Sequence, residues 1–210
     1  MIQLSFAVES ARPMLNAAAP ALAFRLRIRE ALGQAIHAIL LRAQLQIEPR
    51  RRKHSREEQE RLADVFGAPD RWSESLHPLV WAQSAINVPP FEREIDVDVP
   101  VACTYDFEVT AAKYLAALEG GDLPLRFLFS GTVFAKSPSG FLVQQVPWDR
   151  EAVYRMPLAV WREVMDAYFP GAAWIRVRRE TLAALQRFRA KNGSASWDEA
   201  IEMMLGEAVR

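Results

Sequence analysis

The sequence predicts an α+β domain: a twisted antiparallel sheet built from long hairpins, with helices gathered toward the C-terminal end. Three observations lead there. Through much of residues 1–147 apolar side chains recur at every second position, the spacing that puts them on one face of a strand. From Pro147 onward the spacing lengthens to about 3.6, that of a helix. Strands first and helices last is the order of α+β architecture, whereas parallel sheets interleave the two. The expected organisation is one domain over 1–210, mainly antiparallel strands over 1–147 with one short helix near 56–66, and mainly helices over 148–210. About six to eight strands are expected in the sheet.

Ile2, Leu4, Phe6 and Val8 make a first alternating row. Leu22, Phe24, Leu26 and Ile28 make a second, and its opposite face carries Arg25, Arg27 and Arg29, which must meet water, acidic side chains or a partner. Ile39, Leu41, Ala43, Leu45 and Ile47 form a third row backed by Arg42, Gln44, Gln46 and Glu48. Residues 21–48 therefore read as a long hairpin turning through Ala31-Leu32-Gly33-Gln34 and ended by Pro49 and the basic run Arg50-Arg51-Arg52-Lys53-His54. Ser55 with Glu58 three residues later has capping-box spacing, in which each side chain satisfies a backbone N–H at a helix start. A helix from about Arg56 to Phe66 follows, stopped by Gly67 and Pro69. Leu79, Trp81 and Ala85 are compatible with a strand before the loop at Pro89-Pro90.

Residues 95–109 alternate through Ile95, Val97, Val99, Val101, Cys103, Tyr105, Phe107 and Val109. Pro100 cannot donate to a ladder and so marks an edge strand or a bulge. Residues 111–118 are read as continuing strand, although their alanines with Leu115 and Leu118 also fit a helix. A turn at Glu119-Gly120-Gly121-Asp122 leads into a strand over 123–134, apolar on both parities, and residues 141–146 add another. Residues 101–134 thus form a second hairpin. Pro157 opens an amphipathic helix carrying Val160, Trp161, Val164, Met165 and Tyr168 and closed by Pro170-Gly171. Leu182, Leu185, Phe188 and Arg189 belong to a second helix that stops at Asn192-Gly193, and Ser196 with Glu199 caps a last one.

Composition excludes several classes. Lysine plus arginine equals aspartate plus glutamate, 26 each, so no global field holds a nucleic-acid backbone or an anionic membrane. No apolar run reaches the ~18 residues of a membrane span, and the N-terminus alternates, unlike the core of a signal peptide, so a cytoplasmic location without membrane insertion is expected. Cys103 is the one cysteine, which rules out an internal disulfide and a thiolate metal cage and fits a reducing compartment. It reads as a buried, inert thiol.

The chemistry-bearing patterns are sparse. Neither a phosphate-binding glycine loop nor a nucleophile elbow occurs, and Phe129-Ser130-Gly131-Thr132 lacks the elbow spacing. His37, His54 and His77 stand singly without zinc-site spacing. Asp96 with Asp98, and Asp106 with Glu108, share strand faces; such pairs can hold a cation, but the plainer reading is a solvated face. No cofactor is expected, and no enzyme. Six tryptophans are expected mostly in the core, and an exposed one would point to a protein partner.

Local charge is the most informative feature. Arg25, Arg27 and Arg29, with Arg42 returning beside them and Arg50, Arg51, Arg52, Lys53 and Arg56 beyond, are read as one positive surface for a protein partner. The alternative is pairing inside the protein, with Asp96, Asp98, Asp106 and Glu108 as acids across the sheet.

Several runs together resemble a bacterial family of about this length: Ala18-Ala19-Pro20 before Leu22-Ala23-Phe24-Arg25-Leu26, Gln44-Leu45-Gln46-Ile47-Glu48-Pro49-Arg50-Arg51-Arg52, Phe66-Gly67-Ala68-Pro69-Asp70-Arg71-Trp72, Tyr105-Asp106-Phe107-Glu108-Val109, Pro124-Leu125-Arg126-Phe127 through Phe134, and Val146-Pro147-Trp148-Asp149. Genes of that family accompany clusters for actinobacterial-type uptake [NiFe] hydrogenases. The resemblance implies a pathway and assigns no residue a role. A fainter similarity, to the export chaperone SecB, lies in the stretch from Tyr105 to Gly131-Thr132-Val133-Phe134 and the helices after it, and implies an open sheet that holds unfolded clients. The expected function is a non-catalytic, chaperone-like accessory that binds a hydrogenase subunit or maturation factor. A general client binder, a structural hydrogenase subunit and an enzyme with an unrecognised site are the alternatives. Oligomeric state is not legible.

Overall fold

The structure is a computed structural model that describes residues 2–14, 16–103, 110–137, 140–172 and 177–208. In chain order they form β1 (Leu4–Pro13), β2 (Ala21–Glu30), β3 (Ile36–Ile47), α1 (Arg56–Phe66), α2 (Trp72–Ser75), β4 (Leu79–Val88), β5 (Glu94–Ala102), α3 (Thr110–Ala117), β6 (Asp122–Ser137), β7 (Gly140–Gln145), β8 (Glu151–Pro157), α4 (Leu158–Tyr168), α5 (Arg179–Asn192) and α6 (Trp197–Ala208). All strand pairings are antiparallel, and the class is α+β. The chain divides into two compact units, 1–173 and 174–210.

The strands of the first unit form two sheets, one of order β1-β2-β5 and one of order β4-β3-β6-β7 in which β8 also pairs with β6. Their inner faces meet. Leu22, Phe24, Leu26 and Ile28 of β2 and Ile39, Leu45 and Ile47 of β3 are fully buried, as is Phe127 of β6. Phe24 stands edge-on to Phe127 at 5.1 Å between centroids, and Phe6 of β1 stacks on Phe129 at 4.5 Å, so aromatic pairs tie the two layers. Burying each such side chain contributes about 1.5–3 kcal/mol, the main force holding the layers together.

This arrangement corrects the expectation of hairpins over 21–48 and 101–134. β2 and β3 are consecutive but lie in different sheets, as do β5 and β6. A one-sided apolar row satisfies its burial equally well beside its neighbour in one sheet or across from it in another, so period alone does not separate the two. The crossing between β2 and β3 is organised by buried Glu30, whose carboxylate accepts from the backbone N–H groups of Gln3, Leu32 and Gln34 at 3.1, 3.0 and 2.8 Å. Gly33, at φ 73°, makes the reversal.

Two further expectations change. Residues 110–117 are helix α3, because Ala111, Ala112, Tyr114, Leu115 and Ala117 are buried at helical spacing. Strand β8 interrupts the region expected to be mainly helical: Ala152 and Met156 are buried while Glu151, Val153 and Arg155 face outward. The expected strand through Tyr105, Phe107 and Val109, with Asp106 and Glu108, lies outside the described residues. Among the described residues Pro100 sits on an edge strand, since β5 pairs with β2 alone there.

The helices otherwise follow their signals. Ser55 and Glu58 form the complete capping box of α1. α4 begins after Pro157 and buries Leu158, Trp161, Val164 and Met165 in the core of the first unit. In the second unit, α5 and α6 are joined through Gly193 at φ 66°, and the Arg189 guanidinium lies 4.9 Å from the Trp197 ring centroid.

Candidate functional site

The arginine row of β2 faces outward on the three-stranded sheet, and the register places acids directly against it. Arg25, Arg27 and Arg29 oppose Asp98, Asp96 and Glu94 of β5. Arg27 donates to Asp96 at 2.9 Å, Arg25 to Asp96 at 3.2 Å, Arg29 to Glu94 at 2.8 Å, and Arg12 of β1 to Asp98 at 2.6 Å. Glu9 lies 3.4 Å from Arg27. Hydrogen bonds from Arg27, with support from Arg25, hold the Asp96 carboxyl below its ordinary value, and Asp96 in turn raises Arg27. On this face Arg12, Arg25, Arg27 and Arg29 are met by Glu9, Glu94, Asp96 and Asp98 as a matched lattice.

Arg42 is not part of that face; it points outward from β3 in the other sheet. The run after Pro49 is anchored locally. Arg52 reaches buried Glu58 at 2.7 Å and donates to the Gly120 and Asp122 carbonyls, Arg51 pairs with Glu48 at 2.5 Å, Arg50 donates to the Ser73 carbonyl, and Arg56 pairs with Glu60 at 3.3 Å. Lys53 is exposed. The residues expected to form one positive surface are thus divided between the two sheets and the α1 entry.

Among the described residues the groups of ordinary catalytic chemistry do not converge. Burial pushes the Cys103 thiol up to about 12. His54 shares a 2.9 Å hydrogen bond with the Tyr114 hydroxyl against the Trp72 ring; burial, then the Arg52 charge, lowers its pKa. His37 and His77 are exposed at distant points. Among the described residues no three His, Cys, Asp or Glu side chains gather as a metal site. No helix there is long and apolar enough to cross a membrane.

A cleft that sequence reasoning missed opens on the outer face of the five-stranded sheet. β7 runs beside the C-terminal half of β6 and β8 beside its N-terminal half, and residues 146–150 bulge out between them. The Val146 N–H donates to the Gly131 carbonyl and the Phe129 N–H to the Arg150 carbonyl, which fixes both feet of the bulge. Trp148 on this bulge is 93% exposed, while Trp72 and Trp161 are buried; Trp174 lies outside the described residues. The indole borders a cleft of about 600 Å³, lined by Arg42 and Gln44 of β3, Gln83 of β4, and Leu128 and Ser130 of β6. Next to Ser130, Gly131, at φ 149°, lets β6 approach β3 so closely that an added Cβ would lie 2.1 Å from the Leu40 carbonyl oxygen. Exposed Leu40, Val80, Val143 and Val153 flank the cleft on the same face. Alternation marked Arg42 and Gln44 as outward, but the bulge that brings Trp148 to them depends on β8.

The whole chain, residues 1–210, matches the model of a family described as "Family of unknown function (DUF6084)", and it belongs to that family. Among curated proteins nothing matches. Solved structures that match include a β-glucosidase from Kluyveromyces marxianus, at 9% identity and TM-score 0.25 over 74% of this chain, and β-glucosidase 3B from Thermotoga neapolitana, at 12% identity and TM-score 0.24 over 73%. The matches span 15% and 17% of those enzymes' lengths, and likeness at this level carries no argument about fold or activity.

Proposed function

We propose that this member of the DUF6084 family is a non-catalytic accessory protein that binds another protein through the outer face of its five-stranded sheet. The observation that carries this reading is Trp148, almost wholly exposed on a bulge whose feet are hydrogen-bonded to β6, above a face that also leaves four aliphatic side chains in solvent. Tryptophan and arginine are the side chains that most often dominate protein interfaces, and apolar area of this kind gains by being covered. The three-stranded sheet offers less, because its charges already satisfy one another.

The partner's place in the cell is suggested by the sequence resemblance to a family whose genes accompany [NiFe] hydrogenase clusters. On that basis the partner is a hydrogenase subunit or maturation factor in the cytoplasm. The test is affinity capture from the native host under hydrogenase-inducing conditions, with wild type and Trp148→Ala in parallel. A discrete partner recovered with wild type and lost with the variant is the expected result. Recovery of many unrelated unfolded proteins would favour a SecB-like client holder instead, and normal hydrogenase maturation in a deletion strain would remove the hydrogenase assignment.

A further inference from the structure

We propose that the cleft beside Trp148 receives an extended acidic segment of the partner, a carboxylate next to an apolar side chain. This rests on the protein-binding reading above and names the chemistry that the surface recognises. Arg42 projects into the cleft from the middle of β3, and no carboxylate among the described residues pairs with it, whereas Arg126 on the same face is shared between Glu48 at 3.1 Å and Glu151 at 4.0 Å. Arg155, also outward on this face, donates to the Arg51 carbonyl and pairs with no acid there. Arg42 and Arg155 are thus cations on this face with no acidic partner among the described residues, whereas every arginine of the lattice on the other sheet has one, and Asp149 beside Trp148 is itself held by Arg150 at 3.6 Å. None of the cleft's six lining side chains named above is acidic.

Each side chain has a complementary task. The Arg42 guanidinium takes a carboxylate in a two-pronged, charge-assisted contact. The primary amides of Gln44 and Gln83 face one another across the β3–β4 register and each offers a donor and an acceptor, the set that an extended peptide backbone requires. Trp148 and Leu128 supply an apolar wall for the neighbouring side chain. A protein segment suits the site better than a saccharide because Leu40, Val80, Val143 and Val153 continue outward from the cleft as exposed aliphatic surface. One guanidinium also suits a singly charged carboxylate better than a phosphate, which is usually gripped by several cations.

The experiment is selection of a random linear peptide library on wild type, Arg42→Gln, Arg42→Glu and Trp148→Ala, followed by titration of the selected peptides into the isotope-labelled 210-residue chain. Thermal melts confirm that each variant is folded; all three substitutions are at exposed positions. Wild type should enrich peptides with aspartate or glutamate beside an aromatic or aliphatic residue. Their binding should fall about tenfold or more in Arg42→Gln, and Arg42→Glu should turn the preference to lysine and arginine. Shifts should centre on the Gln44 and Gln83 side-chain amides and the Trp148 indole. An unchanged preference in Arg42→Glu overturns the proposal, as does a saccharide that shifts these resonances where no peptide does. Peptides that map elsewhere on the protein overturn it while leaving the protein-binding reading intact. Selection of no peptide, joined with partner capture that survives Trp148→Ala, overturns both uses of this face.

Discussion

Glu58→Ala should be among the most damaging single substitutions, and it tests why the basic run after Pro49 is held in place. The Glu58 side chain is 3% exposed and its partner Arg52 10%. The carboxylate accepts from Arg52 at 2.7 Å, from the Glu119 N–H at 2.8 Å and from the Ser55 N–H at 3.2 Å. It therefore ties the α1 start to the segment after α3. Truncation leaves the Arg52 guanidinium with backbone carbonyls but no counter-charge and strands two backbone donors, and removing one member of a buried pair costs about 3–5 kcal/mol. Against a typical total of about 5–15 kcal/mol, that is a large share of the fold's stability. Replacing both members, Arg52→Met with Glu58→Leu, should cost less than Glu58→Ala because no charge is left alone. Burial is the strongest single influence on Glu58 and opposes its ionisation, but the hydrogen bonds from Glu119 and Ser55 and the Arg52 charge outweigh it, so the carboxyl titrates below its ordinary value. A group whose pKa is lower folded than unfolded adds stability above the unfolded value, and this is lost as pH falls through the folded value. The gap between wild type and variant should therefore be full at neutral pH and narrow below about pH 4. Urea melts over a pH series measure it. A loss under about 1 kcal/mol at pH 7, or a gap that widens in acid, would show that the Glu58 carboxylate does not hold this junction.

Gly131→Ala should destabilise by about 1–3 kcal/mol or more, read by thermal denaturation, because its φ of 149° disfavours a side chain and the added Cβ meets the Leu40 carbonyl. Reversing Arg25, Arg27 and Arg29 to glutamate should lower the melting temperature, more at low salt than at high, and changing Glu94, Asp96 and Asp98 to lysine in the same protein should restore it; a triple reversal that melts like wild type would show the lattice to be idle. Cys103 should resist iodoacetamide at pH 8 in the native protein and react once urea unfolds it, as its pKa near 12 and its burial require.

What the sequence revealed divides along physical lines. Local signals were read directly: the Ser55–Glu58 box, Pro157 before α4 and Gly193 after α5 act within a few residues, and each stands where expected. Alternation showed which side of β2 and β3 is buried, yet it is blind to whether that side meets a neighbour in the same sheet or another sheet across the core. Arg42 was accordingly placed beside Arg25 when it lies on the far sheet. The charge pairing across β2 and β5 was legible as an alternative from the parities of Arg25, Arg27, Asp96 and Asp98, but choosing it needed the register. The α3 helix was hidden by its position between strand-like runs, although alanine is the best helix former. The cleft was least visible because it depends on β8, whose Ala152, Tyr154 and Met156 alternate with outward residues but follow a segment that reads as the start of the helices.

The central claim, that the outer face of the five-stranded sheet meets a protein partner, is tested most directly by a photo-crosslinking amino acid placed at position 148 and, as a control, at position 27 on the three-stranded sheet. Both proteins are produced in the native host and irradiated in living cells. A discrete crosslinked adduct of defined mass is expected from position 148 and none from position 27. Equal adducts from both positions, or an adduct from position 27 alone, would contradict it.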